Sequence, residues 1–208
     1  MESNIVEKTT EEIVQESLLN SMSYYDYRIM VHTLAENEKS TGSEQSEELA
    51  NYSILNNRRM KRLDKTLKPT EDTVAAVLKV DKKITWLVLT ESWCGDAAQT
   101  LPVMHKIAEL NNKINLKVVL RDENVELMNR FLTNGGMAIP KLIAIDSVSG
   151  SIMGEWGSRP SEATEMVEAY KEKHGKLTPE FKEELQVWYN KDKGQNTFAD
   201  LLNLLSLK

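Results

Sequence analysis

Residues 84–97 read Ile-Thr-Trp-Leu-Val-Leu-Thr-Glu-Ser-Trp-Cys-Gly-Asp-Ala, and this stretch predicts a strand followed by a turn and a helix. Its first seven residues form a short, nearly all apolar run rich in branched and aromatic side chains, which predicts a strand buried on both faces. A helix is predicted to follow, from about Ala97 to Leu110. Cys94 therefore lies in the turn between a buried strand and a helix, at the carboxyl end of the strand, where open α/β sheets hold ligands and reactive groups.

The elements that follow this helix complete the predicted sheet. They are a strand at 116–120, a helix at 123–132 ended by a Gly-Gly pair, strands at 141–145 and 151–156 joined by a short turn, and a helix from 160 to 173. The order from Ile84 is β-α-β-α-β-β-α. A helical link between the first two strands favours a parallel pair with a right-handed crossover, whereas the short turn makes the last two antiparallel. We therefore expect an α/β fold with a mixed four-stranded sheet and helices on both faces.

The sequence on either side of this region predicts helices. A capping box at residues 9–12 opens the first, Ser23 begins the second, and apolar spacing continues a third through residues 48–67 before Pro69 ends it. We expect no strand in this part of the chain. The predicted organisation is a helical N-terminal extension packing on the core (1–80), a central domain (81–175) and a C-terminal helical extension (176–208), the last with a helix started by Thr178-Pro179 and another by Asn196-Thr197.

Composition and charge exclude several classes of function. The chain has 208 residues, a net charge of −6 and a pI near 5.3, which gives no electrostatic reason to expect a nucleic-acid partner. No stretch approaches the ~20 apolar residues that cross a bilayer, and no signal peptide is visible. Cys94 is the single cysteine, so an intrachain disulfide and a zinc site built on several thiolates are both excluded. We expect a cytoplasmic protein without a metal or other cofactor.

Two opposite effects act on the predicted Cys94 thiol. A helix N-terminus favours the thiolate and lowers the pKa of a cysteine placed there. Asp96, two residues further on, would oppose thiolate formation through its negative charge, and an N-cap role for it is about as plausible as a catalytic one. The sequence leaves open which effect prevails, and it also leaves open that Cys94 is a small buried apolar residue.

Several short motifs resemble those of thioredoxins. The loop Trp93-Cys94-Gly95-Asp96-Ala97, with Pro102 in the next helix, is similar to the thioredoxin active-site loop and kinked helix. Ile139-Pro140 before a strand resembles the cis-proline loop that faces the active-site cysteine. Gly157 resembles the glycine beside the substrate groove. Together they cover residues 84 to about 173 and imply a thioredoxin-like fold.

The whole chain, with its helical extension and the run Asn-Asn-Arg-Arg-Met at 56–60, resembles a little-characterised bacterial group of thioredoxin-like proteins. That closer resemblance implies a fold and no reaction. Two departures from the dithiol pattern matter for chemistry. Ala97 stands where dithiol members carry the second cysteine, and the buried acid of thioredoxins would fall near Val88, which cannot move a proton.

Two functions compete on this basis. The first is a one-cysteine thiol–disulfide oxidoreductase, in which Cys94 attacks a protein or low-molecular-weight disulfide and an external thiol resolves the product. A peroxide-reducing variant is disfavoured, since Glu91 occupies the position of the peroxiredoxin threonine. The second is a redox-inactive module that binds a peptide or protein.

Both functions use the same predicted groove. The resemblance implies that Ile139, Pro140 and Gly157 bind the substrate, with the backbone of Ile139 pairing with an extended peptide as in β-augmentation. We expect a cis Ile139–Pro140 bond and a loop in contact with Cys94. Arg121, at the same sheet edge, is a further possible site residue, although a local ion pair is its default role. The sequence leaves the oligomeric state open.

Overall fold

The computed structural model describes residues 7–205. Its elements are α1 (Thr10–Leu19), β1 (Met22–Ser23), α2 (Tyr24–Glu36), α3 (Glu47–Thr66), α4 (Glu71–Leu78), β2 (Ile84–Thr90), α5 (Gly95–Leu110), β3 (Ile114–Leu120), α6 (Val125–Arg130), β4 (Lys141–Asp146), β5 (Ile152–Gly157), α7 (Ser161–His174), α8 (Pro179–Asp192) and α9 (Gln195–Leu205). The fold is α/β with a mixed sheet and helical extensions on either side of it.

The sheet has the strand order β1-β3-β2-β4-β5. Strands β2 and β3 are parallel and β4 and β5 are antiparallel, as predicted, and β4 also pairs antiparallel with β2. All seven residues of β2 are buried, which agrees with the nearly continuous apolar run of a strand covered on both faces. Because β2 is the central strand, the turn after it lies in the middle of the sheet, at the end where the parallel strands β2 and β3 terminate.

One expectation about the sheet is wrong. Met22 and Ser23 form a fifth, two-residue strand antiparallel to β3, in a part of the chain for which we expected none. The pair is too short to show a period-2 pattern, and it forms because α2 begins at the next residue and packs on β3. The four predicted strands are all present.

Polar caps explain where most helices begin. Thr9 and Glu12 form the predicted capping box, Ser23 caps α2, and Thr178 caps α8 with Pro179 as its first residue. The last helix begins at Gln195, earlier than predicted, because Thr197 is 1% exposed and lies inside the helix instead of capping it.

A single apolar core joins the extensions to the sheet. It contains Ile13 and Val14 from α1, Met60 from α3 and Phe198 from α9 together with the buried strands. Helix α3 packs against α5, the helix that follows the cysteine. A separate small cluster lies between α7 and α8. The boundaries 1–80, 81–175 and 176–208 stay predictions, and their ends at residues 1–6 and 206–208 lie outside the described residues.

No helix within residues 7–205 is long and apolar enough to cross a membrane.

The packing of α3 can be tested by truncating Met60, which is 1% exposed. We expect Met60→Ala to lower the free energy of unfolding by about 2–5 kcal/mol, because a buried side chain is lost and a cavity remains. The neighbouring Lys61→Ala, on the exposed face of α3, should stay within about 0.5 kcal/mol. Urea denaturation measures both, and equal effects would mean that α3 does not pack on the core.

Candidate functional site

Cys94 is the N-cap residue of α5. Its sulfur accepts a hydrogen bond from the Ala97 N–H at 3.4 Å, and its thiol donates to the carbonyl oxygen of Ile139 at 3.3 Å. The side chain is buried, with 8% of the residue exposed. The thiol is thus held between the first turn of a helix and the loop before β4, a placement that matches the predicted one.

The Ile139–Pro140 peptide bond is cis, as expected, and its loop contacts Cys94. Pro140 directly precedes β4, whose pairing with β2 places this loop beside the cysteine turn. Within residues 7–205 the Ile139 N–H makes no hydrogen bond. An extended chain lying along this loop would therefore find a backbone donor available next to the sulfur.

Gly157 lies directly against the Pro140 loop. Its φ is +126°, and a Cβ placed there would collide with the carbonyl oxygen of Pro140. Both facts require glycine at the end of β5. The structure thus brings Cys94, Ile139, Pro140 and Gly157 together at one edge of the sheet.

Asp96 is locked by two partners from later parts of the chain. Its carboxylate forms an ion pair with Arg159 at 2.7 Å and accepts a hydrogen bond from the Tyr189 hydroxyl at 3.0 Å. Burial raises the pKa of Asp96, and Arg159 and Tyr189 act to lower it. These contacts tie the loop that contains Cys94 to the segment after β5 and to α8. The N-cap role considered for Asp96 belongs to Cys94.

The electrostatic question left open by the sequence has an answer in the structure. Burial, and then the charge of Asp96, raise the pKa of the Cys94 thiol to about 12. The backbone N–H groups of Ala97 and Asp96, and then Arg159, act in the opposite direction and are outweighed. Desolvation prevails over the helix N-terminus, so the resting sulfur is a protonated thiol.

Trp93 and Arg121 lie at the rim of the same edge. The Arg121 guanidinium sits 4.9 Å from the centroid of the Trp93 ring, and it forms an ion pair with Asp122 at 2.7 Å. The local ion pair expected for Arg121 is therefore present, and Arg121 also makes a cation–π contact with Trp93 of the loop. Val88, at the position of the missing acid, is fully buried in β2.

A buried carboxyl group lies elsewhere near the loop. Glu91 is fully buried, and its Oε1 accepts the backbone N–H of Asp122 at 2.9 Å. Its Oε2 has no hydrogen-bond partner in the described chain. Burial raises the pKa of Glu91. This side chain is directed to the end of β3, so it does not replace the acid absent at Val88.

Sequence reasoning missed the polar residues that hold the loop from the N-terminal side. The Ser92 hydroxyl lies 2.7 Å from that of Ser53 and accepts the Thr41 N–H at 2.9 Å, and the Ser92 carbonyl accepts from the Asn56 amide at 2.9 Å. Arg59, one turn further along α3, donates to Asn56 at 3.0 Å. The sequence did contain a signal for them, because Ser53, Asn56 and Arg59 follow one another at intervals of three residues and so lie close together on one side of α3.

The described residues contain no group of three or more His, Cys, Asp or Glu side chains placed to hold a metal ion.

Comparisons with known proteins place the chain in a family and show its fold. A family profile described as Thioredoxin matches residues 42–171. Two solved structures are similar, both at identities that show the fold alone. A protein of unknown function from Pseudomonas aeruginosa is 16% identical with a TM-score of 0.57, over 75% of this chain and 84% of that one. An HIV epitope-scaffold is 14% identical with a TM-score of 0.56, over 88% of this chain and 98% of its own. No curated protein matches.

The effect of Asp96 on the thiol can be measured by substitution. We expect Asp96→Asn to lower the pKa of Cys94 by about one unit, because it removes a nearby negative charge and leaves Arg159 unneutralised. An asparagine oxygen still accepts the Tyr189 hydrogen bond. The pH dependence of the iodoacetamide reaction, followed by mass spectrometry, gives the pKa.

Asp122→Asn is the matched control for this prediction. Asp122 lies at the same sheet edge and pairs with Arg121, away from the sulfur. If both variants shift the Cys94 pKa equally, burial alone raises it and Asp96 has no specific effect.

Proposed function

Because this chain belongs to the thioredoxin family, we propose that it carries out thiol–disulfide exchange through one cysteine, Cys94. The observation that carries the proposal is the 3.3 Å contact between the Cys94 thiol and the carbonyl oxygen of Ile139. It puts the only sulfur nucleophile of the chain beside a backbone segment suited to pair with an extended substrate. Cys94 is the catalytic residue.

The substrate in this proposal is a disulfide carried by an extended peptide or by a small molecule. An extended chain would hydrogen-bond to the Ile139 N–H and lie along the Pro140 loop, which Gly157 approaches closely because it has no side chain. Trp93 and Arg121 lie together at the same end of the sheet and would contact the outer part of the substrate.

The exchange has two balanced steps. The Cys94 thiol loses its proton to solvent, and the thiolate attacks one sulfur of R–S–S–R′. A bond forms between Cys94 and R–S, the old S–S bond breaks, and R′–S⁻ leaves and takes up a proton. An external thiol R″–SH, as its thiolate, then attacks the mixed disulfide, releasing R–S–S–R″ and restoring Cys94.

The raised pKa of Cys94 determines how such an enzyme must work. A pKa of about 12 in place of 9.0 makes thiolate formation ~4 kcal/mol harder. Holding two reactants in the correct geometry is worth ~7–11 kcal/mol, which is larger. Exchange would therefore depend on a substrate docked at the Pro140 loop, and reagents that make no contact with the groove should react with Cys94 more slowly than with a free cysteine.

A second candidate function is a redox-inactive module that binds a peptide or protein. It is favoured by the protonated, buried thiol and by the absence of a second thiol at Ala97 and of an acid at Val88. Both candidates use the groove beside Pro140. They differ in whether the sulfur ever forms a covalent bond.

Trapping and release of an adduct separate these candidates. We expect the folded wild-type chain to form a mixed disulfide at Cys94 with a peptide disulfide at pH 7 and to retain it, because position 97 offers no thiol. In Ala97→Cys the new thiol lies one turn from Cys94, so it should expel the adduct without added thiol. Intact-mass spectrometry follows both events.

Ala98→Cys is the control, since it adds a thiol at the next buried position of α5, on a different face of the helix. Its adduct should persist as in the wild type. A folded protein that forms no mixed disulfide at all would leave the binding module as the function.

A further inference from the structure

Arg59 projects from α3 onto the active-site loop. Its Nη1 donates to Asn56, whose amide in turn donates to the Ser92 carbonyl, so the guanidinium is oriented by the loop itself. The same Nη1 would lie 3.5 Å from a Cβ placed on Gly95, the residue directly after Cys94. Because Gly95 has no side chain, nothing from that residue shields the guanidinium.

The positive charge of Arg59 is not neutralised by an ion pair. No carboxylate among residues 7–205 forms a salt bridge with it, and Asp96, the anion of this loop, is already bonded to Arg159 and Tyr189. Partial burial and the neighbouring Arg62 lower the pKa of Arg59, and the charge of Asp96 acts in the opposite direction. Arg62 itself bonds to the neutral amide of Asn190.

The loop therefore carries surplus positive charge in a chain whose net charge is −6. Two arginines, Arg59 and Arg159, act on the one carboxylate of Asp96, and Arg62 lies beside Arg59. A partly buried guanidinium with unused N–H groups is suited to a carboxylate, which it can bind with two parallel hydrogen bonds.

We infer that Arg59 is an anion-binding residue of the substrate site, and that the disulfide exchanged at Cys94 carries a carboxylate or a similar anionic group near its sulfur. The inference rests on the proposed function and specifies its substrate class. Arg59 would bind the anionic group while the backbone of Ile139 orients the disulfide for attack.

One anionic and one neutral aromatic disulfide test this inference. 5,5′-Dithiobis(2-nitrobenzoate) carries a carboxylate on each ring, whereas 4,4′-dithiodipyridine is neutral at pH 7.5, and each releases a product that is followed by its absorbance, in the visible for the first and in the near ultraviolet for the second. We expect Arg59→Gln to lower the ratio of the anionic to the neutral rate by about fivefold at low ionic strength, and the loss to disappear near 1 M salt.

Two further variants control for folding and for general charge. Arg58→Gln removes a neighbouring arginine on the exposed side of α3, and it should change the ratio less than twofold. Arg59→Lys keeps the charge but loses the two parallel hydrogen bonds, so its preference for the anionic disulfide should lie between those of the wild type and Arg59→Gln. Because each ratio is taken within one variant, a general change in loop stability cancels.

The outcomes distinguish the two levels of the proposal. If Arg59→Gln changes the ratio no more than Arg58→Gln, the anion-binding role is wrong and exchange at Cys94 still stands. If Cys94 in the folded wild type reacts with neither disulfide, the proposed exchange fails, and the substrate class inferred from it fails too.

Discussion

The hydrogen bonds of Ser92 connect the N-terminal helices to the cysteine turn, and the geometry of the site depends on them. Ser92 is 2% exposed, and its hydroxyl and carbonyl are satisfied by Thr41, Ser53 and Asn56. A buried polar group left without its hydrogen-bond partner destabilises the fold by about 1–3 kcal/mol. The loop must therefore keep its position relative to α3. Helix α3 and the loop before it therefore belong to the candidate site, because they hold the turn that makes Cys94 the N-cap of α5.

The second constraint is the competition between burial and helix polarity at the sulfur. The free N–H groups at the start of α5 favour a thiolate, but a sulfur with so little contact with water pays a larger desolvation penalty. Asp96 adds to that penalty while Arg159 offsets only part of it. Under the proposed function this gives selectivity a physical origin, since a thiol that reacts slowly in the free protein would react faster with a substrate that the groove positions.

The parts of the fold that follow from local pattern were predictable from the sequence. The buried run of β2, the helical crossover and the Ile139-Pro140 pair all depend on neighbouring residues, and the site around Cys94 follows from them. The strand at Met22–Ser23 and the contacts of Asp96 with Arg159 and Tyr189 were not predictable. These join segments far apart in the chain, and a polar residue gives no local signal of the distant partner it will meet.

In the proposed function a docked substrate, and not a preformed thiolate, makes Cys94 react. The most direct measurement is the ratio of two rates at pH 7, for a short extended peptide disulfide and for iodoacetamide, in the folded chain and in the chain unfolded by urea. Orientation at the Pro140 loop predicts a ratio at least about tenfold higher in the folded chain, even if both absolute rates are slower. An equal or lower ratio in the folded chain would contradict the account, because the groove would then contribute nothing to attack by the sulfur.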